Sequence, residues 1–305
     1  MKVLMISGDK NVLIQGSEAC ARLELQRSQV EQLDVFVWPQ IHAYRKIFVT
    51  AQKNKYDVIT AQDPFWRGLL AWRVARRTGT KLNLQVHTDL SEQSFLRRAL
   101  ANFLLRHADS VRVVSEKIKE QVQGVIGNGI VHVLPVYVDI KRFQDLAHEP
   151  NSQKTMLWIG RFESEKDPLT AIRVLKEVRK SVRDTKLIML GTGSLENILR
   201  EEAKNLKVEF LGWQDPAPYL QTADVVICTS KHESWGASIV EALAAGVPVI
   251  APDVGIAREA GAIIVARTDL ARATIDVLTS GQRGELKMNL LNAEEWAKRW
   301  RETLT

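Results

Sequence analysis

DVVICTSKHESWGASIVEALAAGVPVIAPDVG, residues 224–255, decides the fold. The apolar run DVVICTS reads as a strand, KHES as a polar loop, and Trp235-Gly236 as the opening of a helix that runs to about Ala245. Gly246 ends that helix and VPVIAPD is the next strand. Strand, loop, helix and strand in immediate succession form a crossover unit, which joins parallel strands. The same stretch sets Glu233 and Glu241 on either side of the helix start. Carboxylates are poor core residues, and a helix built only to pack needs neither.

The rhythm continues in both directions. KVLMIS, DVFVW, DVITA, LNLQVH, SVRVVS and VHVLPV read as strands in the first half, and TMLWIG, KLIMLG, VEFLG, DVVICTS, PVIAPD and AIIV in the second. Segments between them, such as SEACARLELQRSQVEQL and WRGLLAWRVARRTG, carry helical spacing. Repeated alternation of this kind predicts α/β architecture with parallel sheets covered on both faces. DLAHEPNSQKT, residues 145–155, is polar, contains Pro150 and reads as a linker. The sequence therefore predicts two doubly wound, Rossmann-like domains, residues 1–150 and 151–290, followed by a terminal helix over 291–305.

With 305 residues, 45% apolar and 26% charged, the chain has the composition of a globular protein with room for two cores. No apolar run approaches the roughly 20 residues of a spanning helix. MKVLMISGDKNV reads as a strand and turn, not as a signal peptide. Cys20 and Cys228 lie far apart with no CxxC partner, which argues against a disulfide framework or a zinc site. Cytoplasmic residence is the expectation. The charge is uneven: residues 1–150 hold 21 Lys and Arg against 15 Asp and Glu, and the remainder 21 against 21. A basic first half suits an anionic substrate, an anionic lipid or nucleic acid, and equally ordinary surface variation.

Ligands of such sheets gather at the carboxyl ends of the strands. The residues to weigh are thus Gly16 in the first long loop, His87, Arg161, Gly191 and Gly193, Trp213 and Glu233. LGTGSLENIL, residues 190–199, invites a dinucleotide reading, but its third fingerprint position is Glu196; a tight turn open to a ligand fits better. IGRFESEKDP, residues 159–168, puts Arg161 and Lys166 in one loop, a pair of cations suited to a diphosphate. The first amides of the helix, at Ala237 and Ser238, have no internal partner and favour anions. Glu241, one turn inside, leans back toward that end, where it reaches a ribose diol. Glu233 lies on the other side of the phosphates, where a sugar belongs, with Arg161 and Lys166 opposite. Two acids bracketing an anion site describe a nucleoside diphosphate sugar.

GRFESEKD together with ESWGASIVEALAAGVPVIAPDVG resembles the retaining glycosyltransferases of family 4, the glycosyl transferases of group 1, which have the GT-B fold of two Rossmann-like domains facing across a cleft. Glu233 and Glu241 match that family's pair with seven residues between. QVHTD, VVSEKIKEQV, VLPVYVDIKRF, LGTGS and FLGW follow in family order. The resemblance implies an acceptor-side domain over 1–150, a donor domain over 151–290, and a terminal helix packing back on the first. It assigns Arg161 and Lys166 to the donor phosphates, Glu241 to the ribose and Glu233 to the sugar hydroxyls. His87 would approach the sugar and Gly16 would lie under the phosphates; Glu233 and His87 would be the catalytic pair. Gly191, Trp213, Ala237 and Ser238 complete the donor site, Trp213 by position alone. The sequence departs from the family's pattern at Ser17, where a second glycine is common, at Thr192, where an aspartate is common, and in a short first half.

The implied reaction is transfer of a hexosyl group from a UDP- or GDP-linked sugar to a saccharide or lipid-linked acceptor hydroxyl, with retention, in cell-surface glycan or glycolipid synthesis. No D-x-D triplet occurs, so neither a metal nor another cofactor is expected, and nucleic acid is not an expected partner. The rival readings are a nucleotide-sugar epimerase on the same plan and a non-catalytic nucleotide or lipid binder. FLRRALANFLLRH, residues 95–107, has the composition of an interfacial helix, and equally of one packing on a sheet; the first reading would add peripheral contact at the inner face of the membrane.

Overall fold

Strands covered on both faces are apolar along most of their length, and most of the runs quoted above satisfy that condition; LNLQVH and SVRVVS, which carry Asn83, Gln85, Ser110 and Arg112, depart from it. The computed structural model describes residues 1–38, 43–149 and 153–305. One sheet contains β1 (Lys2–Ser7), β2 (Gln32–Val37), β3 (Val58–Ala61), β4 (Lys81–Val86), β5 (Ser110–Val113) and β6 (Val131–Val133), in the order β2-β1-β3-β4-β5-β6. The other contains β7 (Lys154–Ile159), β8 (Thr185–Leu190), β9 (Val208–Phe210), β10 (Val225–Ile227), β11 (Val249–Ala251) and β12 (Ile263–Ile264), in the order β12-β11-β10-β7-β8-β9. Neighbouring strands in both sheets run parallel, so each connection is a crossover. The two Rossmann-like domains expected from the sequence are present. Strand order reverses between β1 and β3 in the first sheet and between β7 and β10 in the second. In open α/β sheets such switch points open a crevice at the carboxyl ends of the strands.

The chain divides into two compact units, Met1–Tyr137 with Leu291–Thr305, and Val138–Leu290. This division precedes the linker expected at 145–155, because the short helix Lys141–Gln144 packs with the second unit and buries Phe143 there. Pro150 of that linker lies outside the described residues.

In the first unit the helix Ala293–Glu302 is started by a capping box: the Asn292 side chain accepts from the Glu295 amide, and Glu295 reaches back to the Asn292 amide. The helix buries Trp296, Ala297 and Trp300 among Val3, Met5, Leu23 and Val58. Beneath it runs a buried polar ladder across β3, β4 and β5. Thr60 Oγ1 donates to Asn83 Oδ1 at 2.7 Å, Gln85 Nε2 to Thr60 Oγ1 at 2.9 Å, and Arg112 Nη1 to Gln85 Oε1 at 2.9 Å. Asn83 Nδ2 and Ser110 Oγ both donate to the Thr303 carbonyl, at 2.7 and 3.0 Å, which ties the end of the helix to the sheet. Buried polar groups need partners of this kind.

The second unit is built on a more uniformly apolar core, with Met156, Leu175, Leu187, Met189, Val225 and Ile250 all fully buried. The helix Phe95–Leu105 of the first unit buries Ala101, Leu104 and Leu105 but leaves Phe95, Leu96 and Phe103 exposed. Among the described residues, no helix is long and apolar enough to cross a membrane.

Candidate active site

The switch point of the second sheet gathers three loops. The segment after β7, Gly160–Asp167, is folded by bonds from the Glu163 amide to Arg161 O and from the Lys166 amide to Glu163 O. The segment after β10 is held against it: the Lys231 amide donates to Glu165 O, and Thr229 Oγ1 lies 2.9 Å from both Lys166 O and Asp167 O. Arg267, on the turn after β12, clamps the two together by donating to the Thr229 carbonyl and pairing with Asp167 Oδ2. Asp167 itself takes a left-handed φ of 47° just before the helix Pro168–Ser181.

This clamp brings Lys166 and Glu233 into direct contact. Lys166 Nζ lies 2.5 Å from Glu233 Oε1, and Ser230 Oγ donates to the same oxygen at 2.8 Å. The sequence sets Lys166 opposite Glu233 across a diphosphate; in the structure the two are paired, since each satisfies the other's charge where both side chains are largely buried. Glu233 and burial together raise the Cys228 thiol, with burial the larger cause. Arg161 is not part of this cluster. It is exposed and paired with Glu165 Oε1 at 2.7 Å, so the two cations of the loop face different carboxylates.

Helix Ala237–Ala244 begins directly after this pair. Gly236 enters it with φ 112°, a conformation that only glycine adopts readily. The first bonds run from the Ile239 and Val240 amides back to Gly236 O, so the amides of Ala237 and Ser238 sit at the open end of the helix. Glu241, one turn further on, is only 7% exposed. A carboxylate held that deep is placed for a partner rather than for solubility. Gly255, after β11, closes the far side: a side chain there would overlap Trp235 O and press on Glu233 Cβ, and the Ile256 amide bonds to Trp235 O at 2.9 Å.

The GTG turn after β8 lies alongside. A Cβ at Gly191 would overlap Gly160 O, and one at Gly193 would meet the Phe162 backbone. The space that demands glycine there is thus filled by the protein's own loop, which bonds across through Phe162 N to Thr192 O and Leu195 N to Phe162 O, both 2.9 Å. The Gly191 amide also donates to Gly212 O, which brings the exposed Trp213 beside the turn.

His87 and Gly16 belong to the first unit. Gly16 is exposed, with φ 85°, immediately before Ser17, whose side chain caps the helix Glu18–Arg27. His87 follows β4 and lines a pocket of about 390 Å3 at the first sheet's switch point. Burial, followed by the charges of Arg112 and Arg22, pushes its imidazole down to about 3, so the ring is neutral at physiological pH. Its Nε2 lies 3.4 Å from Gln85 Oε1. Arg267, Asp167, Ser230 and Gly255 escaped the sequence reading. Asp167 and Arg267 are separated by 100 positions, and nothing local links them.

Residues 153–280 match the family described as glycosyl transferases group 1, and residues 15–137 match the glycosyl transferase 4-like domain. The alpha-monoglucosyldiacylglycerol synthase of Streptococcus pneumoniae is 26% identical over 243 residues, 68% of this chain and 55% of that protein. The glycogen synthase of Mycobacterium tuberculosis is 28% identical over 189 residues, 59% of this chain and 45% of that protein. The chain thus spans about half the length of these curated relatives. Anabaena HepE, solved in complex with UDP and glucose, superposes with a TM-score of 0.75 at 16% identity, over all of this chain and 95% of that one; at that identity the likeness speaks for the fold.

Proposed function

Because the chain belongs to the glycosyl transferases of group 1, we propose that it moves a hexosyl group from a nucleoside diphosphate sugar to an acceptor hydroxyl, with retention at the anomeric carbon. One observation carries the reading: a paired Lys166 and Glu233 at the open end of a helix, with buried Glu241 one turn inside. The diphosphate takes the helix end, drawing Lys166 away from Glu233, and Arg161 swings from Glu165 to the same phosphates. Glu241 accepts from the ribose hydroxyls. Glu233, relieved of its lysine, accepts from hydroxyls of the donor sugar. Trp213 and the Gly191 turn flank the nucleotide, Gly16 approaches the phosphates, and His87 donates to or accepts from the sugar as a neutral ring.

In the reaction the bond from the anomeric carbon to the phosphate oxygen breaks and the bond to the acceptor oxygen forms on the same face. The acceptor's proton passes to the departing phosphate. Negative charge grows on that phosphate, and the helix amides, joined by Lys166 and Arg161 once the diphosphate has drawn them in, stabilise it, often the largest catalytic contribution. The scheme uses no metal and no cofactor beyond the donor. Either a UDP- or a GDP-linked sugar suits the site. We place the activity in cell-surface glycan or glycolipid synthesis, at the inner membrane face, where exposed Phe95 and Leu96 beside Arg97 and Arg98 would meet lipid.

A thermal-shift screen against UDP, GDP, ADP and their sugars, followed by anomeric analysis of any product by NMR, tests the reading. Stabilisation by one nucleotide series and an axial product from an axial donor are expected. No stabilisation by any of them, or an inverted product, refutes it. Co-sedimentation with anionic vesicles tests the membrane contact; a chain that stays in the supernatant refutes that part alone.

A further inference from the structure

The pocket beside His87 holds more charge than a sugar requires. Four guanidinium groups line it: Arg22, Arg67, Arg97 and Arg112. Only two carboxylates, Asp9 and Asp63, share the lining. Each arginine comes from a different element: the helix Glu18–Arg27, the helix Trp66–Thr78, the helix Phe95–Leu105, and β5. Convergence of four elements on one cavity is an arrangement of the fold, not a local charge run.

Arg112 is the most telling. It is 3% exposed, and its three bonds go to neutral oxygens: Leu134 O at 3.1 Å, Gln85 Oε1 at 2.9 Å and Pro135 O at 2.9 Å. Among the described residues it meets no carboxylate. A buried charge without a counter-charge is costly, and burial with Arg22 nearby pushes this guanidinium down to about 9. Arg67 pairs with Asp63 but keeps a buried Nε with no partner. Its guanidinium lies directly over Gly8, where any Cβ would collide with it. Arg97 stacks on Phe65 at 4.1 Å from the ring centroid, which fixes the charge beside the pocket. Arg22 is engaged with Glu18 at 3.8 Å, a loose pair across one helical turn. Guanidinium forks suit the tetrahedral oxygens of phosphate, and the four arginines outnumber Asp9 and Asp63 of the lining together with Glu18, so the pocket keeps a positive charge for an anion to meet.

Resting on the transferase reading, we propose that the acceptor of this protein carries a phosphate group, bound in the first unit by Arg22, Arg67, Arg97 and Arg112. The acceptor hydroxyl lies on the sugar or glycerol to which that phosphate is attached, and the phosphate anchors it without reacting.

Calorimetric titration with inorganic phosphate tests this on four proteins: wild type, the double variant Arg22→Gln/Arg97→Gln, Gly8→Ala and Lys166→Met. Both arginines replaced are on helix surfaces at the rim, and thermal melts confirm folding. The double variant is expected to lose at least about 10-fold in phosphate affinity, as charged hydrogen bonds are removed. Gly8→Ala is expected to weaken binding by displacing Arg67 with all charges retained. Lys166→Met, in the other unit, is expected to bind phosphate as wild type does. Loss confined to Lys166→Met would place phosphate at the donor helix and overturn the proposal. Displacement by glucose 6-phosphate would identify a soluble acceptor class. Displacement by vesicles containing lysophosphatidic acid, a phosphate monoester whose glycerol keeps a free hydroxyl, but not by phosphatidylcholine alone, would identify a lipid-borne one; displacement by neither overturns the proposal. Transfer to a neutral sugar that is indifferent to the arginine variants would overturn it while leaving the transferase reading intact. Retained phosphate binding without any nucleotide binding would have the opposite consequence.

Discussion

Replacing Glu233 by glutamine should tighten the binding of a nucleoside diphosphate. In the structure Lys166 is committed to Glu233, with Nζ and Oε1 at 2.5 Å and side chains 20% and 12% exposed. At that distance and an effective dielectric near 20, the raw attraction is about 6–7 kcal/mol. Most of it is offset by lost hydration. Fully exposed pairs retain about 0.2–1 kcal/mol, and closely packed pairs at protein interfaces about 1.5 kcal/mol or more. A pair of intermediate exposure therefore holds Lys166 back by about 1–2 kcal/mol, which diphosphate binding has to overcome. Glu233→Gln keeps the Ser230 hydrogen bond and the volume but releases the lysine, so affinity for UDP, GDP or ADP should rise about 5–30-fold. Turnover should fall in the same variant, since the sugar loses a charged acceptor. Calorimetry on wild type, Glu233→Gln, Lys166→Met and the double variant measures this directly. Lys166→Met should bind more weakly, and the double variant should match it. Unchanged or weaker nucleotide binding by a folded Glu233→Gln would refute the reasoning. An equal gain in the Lys166→Met background would show that repulsion by Glu233, not capture of the lysine, is the cause.

Glu241→Ala should reduce nucleotide affinity about 10–100-fold, as a buried acceptor for charged hydrogen bonds is lost, while leaving turnover at saturating donor within a few-fold; steady-state kinetics separates the two. His87 should make the first unit acid-sensitive. Its folded pKa of about 3 lies below the ordinary 6.5, so between these values the unfolded chain binds a proton that the folded chain refuses. Its contribution is complete above 6.5 and is lost as pH falls toward 3, with a slope of at most about 1.4 kcal/mol per pH unit. Urea titrations across that range should show the slope in wild type and a flatter profile in His87→Gln. Trp300→Ala should destabilise the first unit by about 3–5 kcal/mol, because the indole is fully buried; denaturant melts measure the loss, and a change under 1 kcal/mol would contradict the packing described.

The strands were legible because parallel strands buried on both faces write themselves as unbroken apolar runs, as LIML and VVIC do. The open helix end was legible too, since Gly236 and Gly246 bracket an apolar helix with a carboxylate inside it. What was hidden is contact at long range. Lys166 and Glu233 stand 67 positions apart, and the sequence shows their charges but not that they touch. LNLQVH alternates apolar and polar residues, and in the structure Asn83 and Gln85 are buried and bonded to Thr60, Ser110, Arg112 and the Thr303 carbonyl. Polarity in a strand signals exposure only when no buried partners are at hand, and here they come from the neighbouring strands and from the Thr303 carbonyl. The four arginines of the first unit were legible only as excess charge; their convergence depends on where four separate elements end.

The segment Leu291–Thr305 completes a unit whose other strands and helices all lie before residue 138. During synthesis the ribosome therefore releases the entire β7–β12 sheet before it delivers the two tryptophans that seal the earlier one. The Val138–Leu290 body has all its contacts available at once and can fold as it emerges, whereas its predecessor must wait with Val3, Met5 and Val58 unsealed. In a nascent chain that delay leaves the apolar face of residues 1–137 uncovered until Leu291–Thr305 arrives to latch it.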